Sequence, residues 1–124
     1  MKYNTVGWFE IPVNDMERAA KFYGTVLDCK IEIQDMGGAL MGFFPNGGDV
    51  YGATGSLMKY ESYVPSYDGT LVYITCPDLQ NELNRIPDAG GTILKEKTQI
   101  SPEHGYMAAF EDSEGNRVAL HSRD

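Results

Sequence analysis

A chain of 124 residues that is 42% hydrophobic and 23% charged holds one ordinary core and is too short for two. Its formal charge of −8 repels phosphate backbones and its ten basic residues form no run, so nucleic acid is not an expected partner. No apolar stretch approaches the roughly 20 residues that cross a bilayer, and MKYNTVGWFE lacks a signal-peptide pattern, so no membrane association and a cytoplasmic address are expected. Cys29 and Cys76 stand outside any CxxC or Cys/His cluster, which predicts two reduced, buried thiols and neither a zinc site nor a disulfide framework.

From the N-terminus, VGWFEIPVND at 6–15 alternates Phe9, Ile11 and Val13 with Trp8, Glu10 and Pro12, the period of a strand with one buried face. Asn14 or Asp15 then caps a helix running to about Leu27, with Asn14 and Glu17 spaced as a capping box. Met16, Ala19, Ala20, Tyr23 and Leu27 form its apolar stripe. Strand-like segments follow at 30–34, 39–44 and 49–53, punctuated by glycine. Residues 54–68 carry Pro65 and no sustained period, so they read as a linker. Its Tyr60, Tyr63 and Tyr67 suit exposed edges, a dimer interface or a pocket rim.

The chain then repeats itself. GTLVYITCPD at 69–78 falls on VGWFEIPVND with Asp78 over Asp15, 63 residues apart, and alternates Val72, Ile74 and Cys76 with Leu71, Tyr73 and Thr75. Asp78 caps a second helix with Leu79, Leu83 and Ile86 inward, ended by Pro87 and the Gly90, Gly91 pair. Strands are predicted at 92–97, 106–111 and 117–122, and GGDVYGA at 47–53 matches GNRVALH at 115–121 with an offset of 68. The fold class is therefore α+β: one domain over 1–124, with a βαβββ module at 1–53, a linker at 54–68 and a second module at 69–124.

IPVNDMERAAKFYGTVLD at 11–28, AGGTILKEKT at 89–98 and FEDSEGNRVALHS at 110–122 together resemble the vicinal oxygen chelate superfamily, which includes glyoxalase I, bleomycin-resistance proteins and extradiol dioxygenases. The resemblance spans essentially the whole chain. It implies mixed sheets curved around a cleft, helices on the convex side and a homodimer. It also implies four metal ligands, one on each opening and closing strand; the matching positions here are Trp8, Leu71, Tyr51 and Ala119. Carbon side chains and a neutral phenol are poor donors to a divalent cation, so no metal and no cofactor are expected. Metal-dependent glyoxalase or ring-cleaving chemistry is correspondingly not expected.

If the helix side takes Phe9, Ile11 and Val13, alternation gives the cleft Trp8, Glu10, Leu71, Tyr73, Tyr51, Ala53, Ala119 and His121. That mixture of apolar and aromatic walls with few polar anchors suits a small molecule, aromatic or cationic. Glu10 reads as a carboxylate hydrogen-bonded to Tyr73 or His121, and a displaced metal site at Glu10 and His121 is the alternative. His121 also fits a solvent-exposed imidazole on a fraying strand, His104 a turn residue, and Cys76 a buried small hydrophobe. The leading expectation is a metal-independent binding protein or diverged enzyme, closer to the bleomycin-resistance branch than to the lyases. The competing one is a lyase, isomerase or epimerase with Glu10 as general base and His121 as its acid partner.

Overall fold

The computed structural model describes residues 2–124. The first module contains β1 (Phe9–Pro12), α1 (Met16–Leu27), β2 (Glu32–Asp35), β3 (Leu40–Phe43) and β4 (Gly55–Lys59). The second contains β5 (Tyr73–Thr75), α2 (Leu79–Ala89), β6 (Thr92–Ser101), β7 (Gly105–Glu111) and β8 (Arg117–Ser122). Each module forms one four-stranded sheet of the same order, β1-β4-β3-β2 and β5-β8-β7-β6. Opening and closing strands pair in parallel and the remaining neighbours antiparallel, the α+β architecture of two βαβββ units that the repeat predicts.

The alternation assigns the faces as expected. Ile11 and Val13 are buried and Phe9 packs against them, while Cys76 is buried and Ile74 partly so on the repeated strand. These residues, with Leu57, Ala108, Phe110, Val118 and Leu120, meet the inner stripes of both helices in one apolar core. The α1 stripe is Met16, Ala19, Phe22, Tyr23 and Val26, so Phe22 and Val26 join it where Ala20 and Leu27 stay only partly covered. The helices also touch each other, Arg85 donating through Nη1 to the Val26 carbonyl at 2.9 Å.

The closing strand of the first module departs from the sequence reading. Residues 49–53 are not a strand; β4 lies at Gly55–Lys59, inside the stretch taken as linker. Glu10 pairs with Ser56 and Tyr73 with Ala119, so both opening and closing strands repeat at one interval of 63 residues, and the offset of 68 was a false register. GGDVYGA imitates a strand end by its glycines and alternating apolar residues, yet its side chains reach no buried face. The true strand, GSLMK, starts with a glycine whose added Cβ would lie 2.2 Å from the Phe9 carbonyl oxygen and with an uncharacteristic serine. Its signal is weak because two of its first residues are selected for closeness rather than apolarity.

Smaller differences have local causes. Asp15, not Asn14, caps α1, its side chain accepting from the Arg18 amide at 3.0 Å, so the Asn14 and Glu17 capping box does not form. Pro87 sits inside the last turn of α2 rather than ending it; the helix stops at Gly90, whose φ of 106° makes the left-handed cap. Cys29 is only partly buried.

The turn between β7 and β8 ties the modules together. Asp112, buried, accepts from the Tyr23 hydroxyl at 2.7 Å, the Glu114 and Asn116 amides at 2.8 and 2.9 Å, and Asn116 Nδ2 at 3.0 Å. Glu114, its side chain fully buried, accepts from the Asn14 and Asp15 amides at 2.9 and 2.8 Å and from Arg18 Nε at 2.7 Å, so it serves the open N–H groups at the start of α1. Asn116 Nδ2 donates onward to the Pro12 carbonyl at 2.7 Å.

Candidate functional site

The residues expected in one cleft do not share one cavity. On the sheet faces turned away from the helices lie Trp8, Glu10, Ser56, Ala119 and His121. Trp8, 42% exposed, meets the Phe43 ring edge-on at a centroid distance of 6.0 Å. Glu10 does not pair with Tyr73 or His121; its Oε1 accepts from the Tyr63 hydroxyl at 2.9 Å. His121 Nε2 faces the His104 carbonyl oxygen at 2.6 Å, which requires it to donate and so fixes that tautomer. His104 in turn contacts Ser101 Oγ through Nδ1 at 2.9 Å, as a turn residue would. The two groups proposed as base and acid are therefore each engaged elsewhere and line no common cavity.

The linker tyrosines bridge these faces. Tyr63 holds Glu10 on β1 and Tyr67 donates to Glu111 Oε1 on β7, while Ser66 is pinned by Asn116 and Arg117 of the second sheet. The neighbouring carboxylates raise both phenols above their ordinary range, the hydrogen bond to Glu10 or Glu111 being the largest cause in each.

A cavity of about 770 Å³ lies beside β5. β5 pairs only with β8, so its other edge is free, and the loop between β3 and β4 stands against it. Tyr51, Ala53, Leu71 and Tyr73, four of the expected ligand-binding residues, line this space together with Phe9, Leu27 and Ile74. Tyr51 reaches it from the loop, where it is 86% exposed, not from a closing strand. Trp8, Glu10, Ala119 and His121 are not in its wall, and Ala119 is fully buried. Walls that are mainly apolar or aromatic with a few polar groups, at this volume, are the make-up of a small-molecule site.

With β4 in its true register, the four positions matched to metal ligands are Trp8, Ser56, Leu71 and Ala119. An indole, a neutral hydroxyl and two hydrocarbon side chains make no donor set for a divalent ion, so these residues do not fit the group the resemblance implies. Ser56 Oγ is buried without a hydrogen-bond partner among the described residues, but one hydroxyl cannot hold an ion. No cluster of three or more His, Cys, Asp or Glu side chains suited to a metal occurs among the described residues. Burial, and then the charge of Glu82, pushes the Cys76 thiol up to about 12, which leaves it neutral and inert as a nucleophile. No helix among the described residues is long and apolar enough to cross a membrane.

Glu82, which sequence reasoning passed over, is the one charged side chain of the cavity wall among the described residues. As a polar residue in the first turn of an amphipathic helix it carries no distinguishing signal; only the free edge of β5 opposite makes it part of a site.

The model of the Glyoxalase/Bleomycin resistance protein/Dioxygenase superfamily matches residues 5–120. A glyoxylase-like domain-containing protein of Didymella fabae is 30% identical over 124 residues, covering 98% of this chain and 95% of its own. Among solved structures, a glyoxalase/bleomycin resistance protein from Albidiferax ferrireducens T118 superposes with a TM-score of 0.73 at 16% identity, over 98% of this chain and 100% of that one. TnmS3, an antibiotic binding protein from Streptomyces sp. CB03234, gives 0.66 at 21% identity, over 100% and 99%. The E144Q mutant of maize glyoxalase I gives 0.72 at 21% identity over 94% of this chain, which spans only 46% of the maize chain. By sequence match over nearly its whole length, this chain belongs to the glyoxalase/bleomycin resistance protein/dioxygenase superfamily.

Proposed function

We propose that the protein is a metal-independent binder of a small organic molecule, and that the ligand occupies the cavity at the free edge of β5. The observation that carries this reading is the cavity itself: about 770 Å³, walled by Phe9, Tyr51, Ala53, Leu71, Tyr73 and Ile74. The donor-poor set Trp8, Ser56, Leu71 and Ala119 supports independence from metal. The relationship to a family that includes an antibiotic binding protein fits the same reading. Exposed aromatic surface at Trp8, Tyr60 and Tyr67 suits association into a homodimer. Glu10 and His121 act in this account as structural partners of Tyr63 and of the turn at His104, rather than as a base and an acid.

The test is a thermal-shift screen of divalent metals and small aromatic compounds. Specific binding to the folded state raises the melting temperature by mass action, by about 2.7 kcal/mol of apparent stability at a hundredfold excess over Kd. Stabilisation by aromatic compounds without added metal, unchanged by a chelator, is expected. Stabilisation by a stoichiometric divalent metal, with compounds binding only in its presence, would contradict the reading.

A further inference from the structure

Glu82 lines the cavity from the first turn of α2, near Thr75 and Pro77 of the strand end. Its Oε1 is buried and has no hydrogen-bond partner among the described residues. Glu82 as a whole is only half-buried, but a carboxylate with one oxygen cut off from water and weakly partnered favours a further donor. Among the described residues only the weakly donating Cys76 thiol stands beside this carboxylate, its Sγ also lying 3.7 Å from the Ile74 carbonyl oxygen, and no described Lys, Arg or His lines the cavity. The positive end of the α2 dipole helps the helix carry the negative charge, which makes a protein cation dispensable there. Among the described residues the only formal charge in the wall is therefore negative, alongside the rings of Phe9, Tyr51 and Tyr73, which also favour a cation over their faces.

We propose that Glu82 is the specificity-determining residue of this cavity and that the ligand is an organic ammonium: an apolar or aromatic body whose N–H donates to the Glu82 carboxylate. This inference rests on the cavity being the ligand site, and the experiment separates the two. Benzylammonium and ethylbenzene have nearly the same shape and differ in the charged donor. Each is titrated into the wild-type chain and Glu82→Gln, followed by backbone amide chemical shifts. Benzylammonium is expected to shift amides of residues 70–75 and 47–54 and to bind at least about tenfold more tightly than ethylbenzene, the lower end for a charge-assisted hydrogen bond. Glu82→Gln should erase that preference, leave ethylbenzene binding unchanged and melt no lower than the wild type, because the carboxylate pairs with no described cation and the amide can still accept from the Cys76 thiol. Equal binding of both probes at the cavity, or an unchanged preference in Glu82→Gln, would overturn the role of Glu82 while leaving the cavity as the site. Shifts confined to Trp8, Glu10 and His121, or none from either probe, would overturn both. A Glu82→Gln chain that does not fold would reveal a structural carboxylate and overturn the inference as well.

Discussion

The two modules share one strand order but use the connection into their closing strands in opposite ways. Between β7 and β8 the polar side chains of Asp112, Glu114 and Asn116 turn inward and satisfy Tyr23, the start of α1 and the end of β1. Between β3 and β4 the chain is longer, rich in glycine and exposed, and it stands off β5 to leave the cavity. The register locates the difference. Phe43 opposes Ser56 as Ala109 opposes Ala119, so the third strands repeat at 66 residues while the closing strands repeat at 63. The first module therefore spends three more residues on this connection than the second. In one copy of the repeat this connection is a clamp, and in the other it is the wall of a cavity.

The sharpest way to break this comparison is Asp112→Ala. It strands a buried phenol, two amides and one side-chain amide group at once, and a loss of about 3–5 kcal/mol is expected in denaturant unfolding. A loss below about 1 kcal/mol would mean that the turn does not clamp the modules.

A milder probe of the same clamp is Glu114→Gln, which keeps an acceptor but removes the charge, at an expected cost of about 1–2 kcal/mol near neutral pH. Burial pushes the Glu114 carboxyl up, but hydrogen bonds from Arg18, the Asp15 amide, Ser113 and the Asn14 amide outweigh it and hold the group below its usual 4.5. A carboxyl lowered in the folded state stabilises it above the unfolded value, and that contribution disappears as pH falls through the folded one. Stability should therefore drop below about pH 4.5 in the wild type, and part of that drop should be missing in Glu114→Gln. Parallel pH curves for the two proteins would contradict the assignment.

At the other connection the smallest effect is expected. Tyr51→Ala should change stability by no more than about 0.5 kcal/mol, because that side chain is 86% exposed and touches no core. A large loss would show that the loop is structural too, and the contrast between the modules would fail.

The fold was legible because its elements carry strong local signals: Ile11 and Val13 alternating into the core, Asp15 and Asp78 capping their helices, and Leu79, Leu83 and Ile86 on one stripe. β4 was not, since Gly55 and Ser56 are present for tight packing and do not advertise a strand. That single slip displaced Tyr51 from strand to loop and hid Ser56. Half of the expected site residues, Tyr51, Ala53, Leu71 and Tyr73, share one cavity, and all four sit at or before a free strand edge or in the loop facing it. The partners of Glu10 and His121 are long-range, reached through Tyr63 and the His104 carbonyl, and strand alternation alone says nothing about either.

The ligand sits either in the cavity beside β5 or on the sheet face that carries Trp8. The direct measurement is calorimetric titration of the best compound from the thermal-shift screen into Ala53→Trp, which fills the cavity beside β5, and into Trp8→Ala, which strips the opposite sheet face. Loss of binding in Ala53→Trp with Kd kept within about threefold in Trp8→Ala is the predicted result. Binding that survives Ala53→Trp and vanishes in Trp8→Ala would place the site on the sheet face and contradict the account.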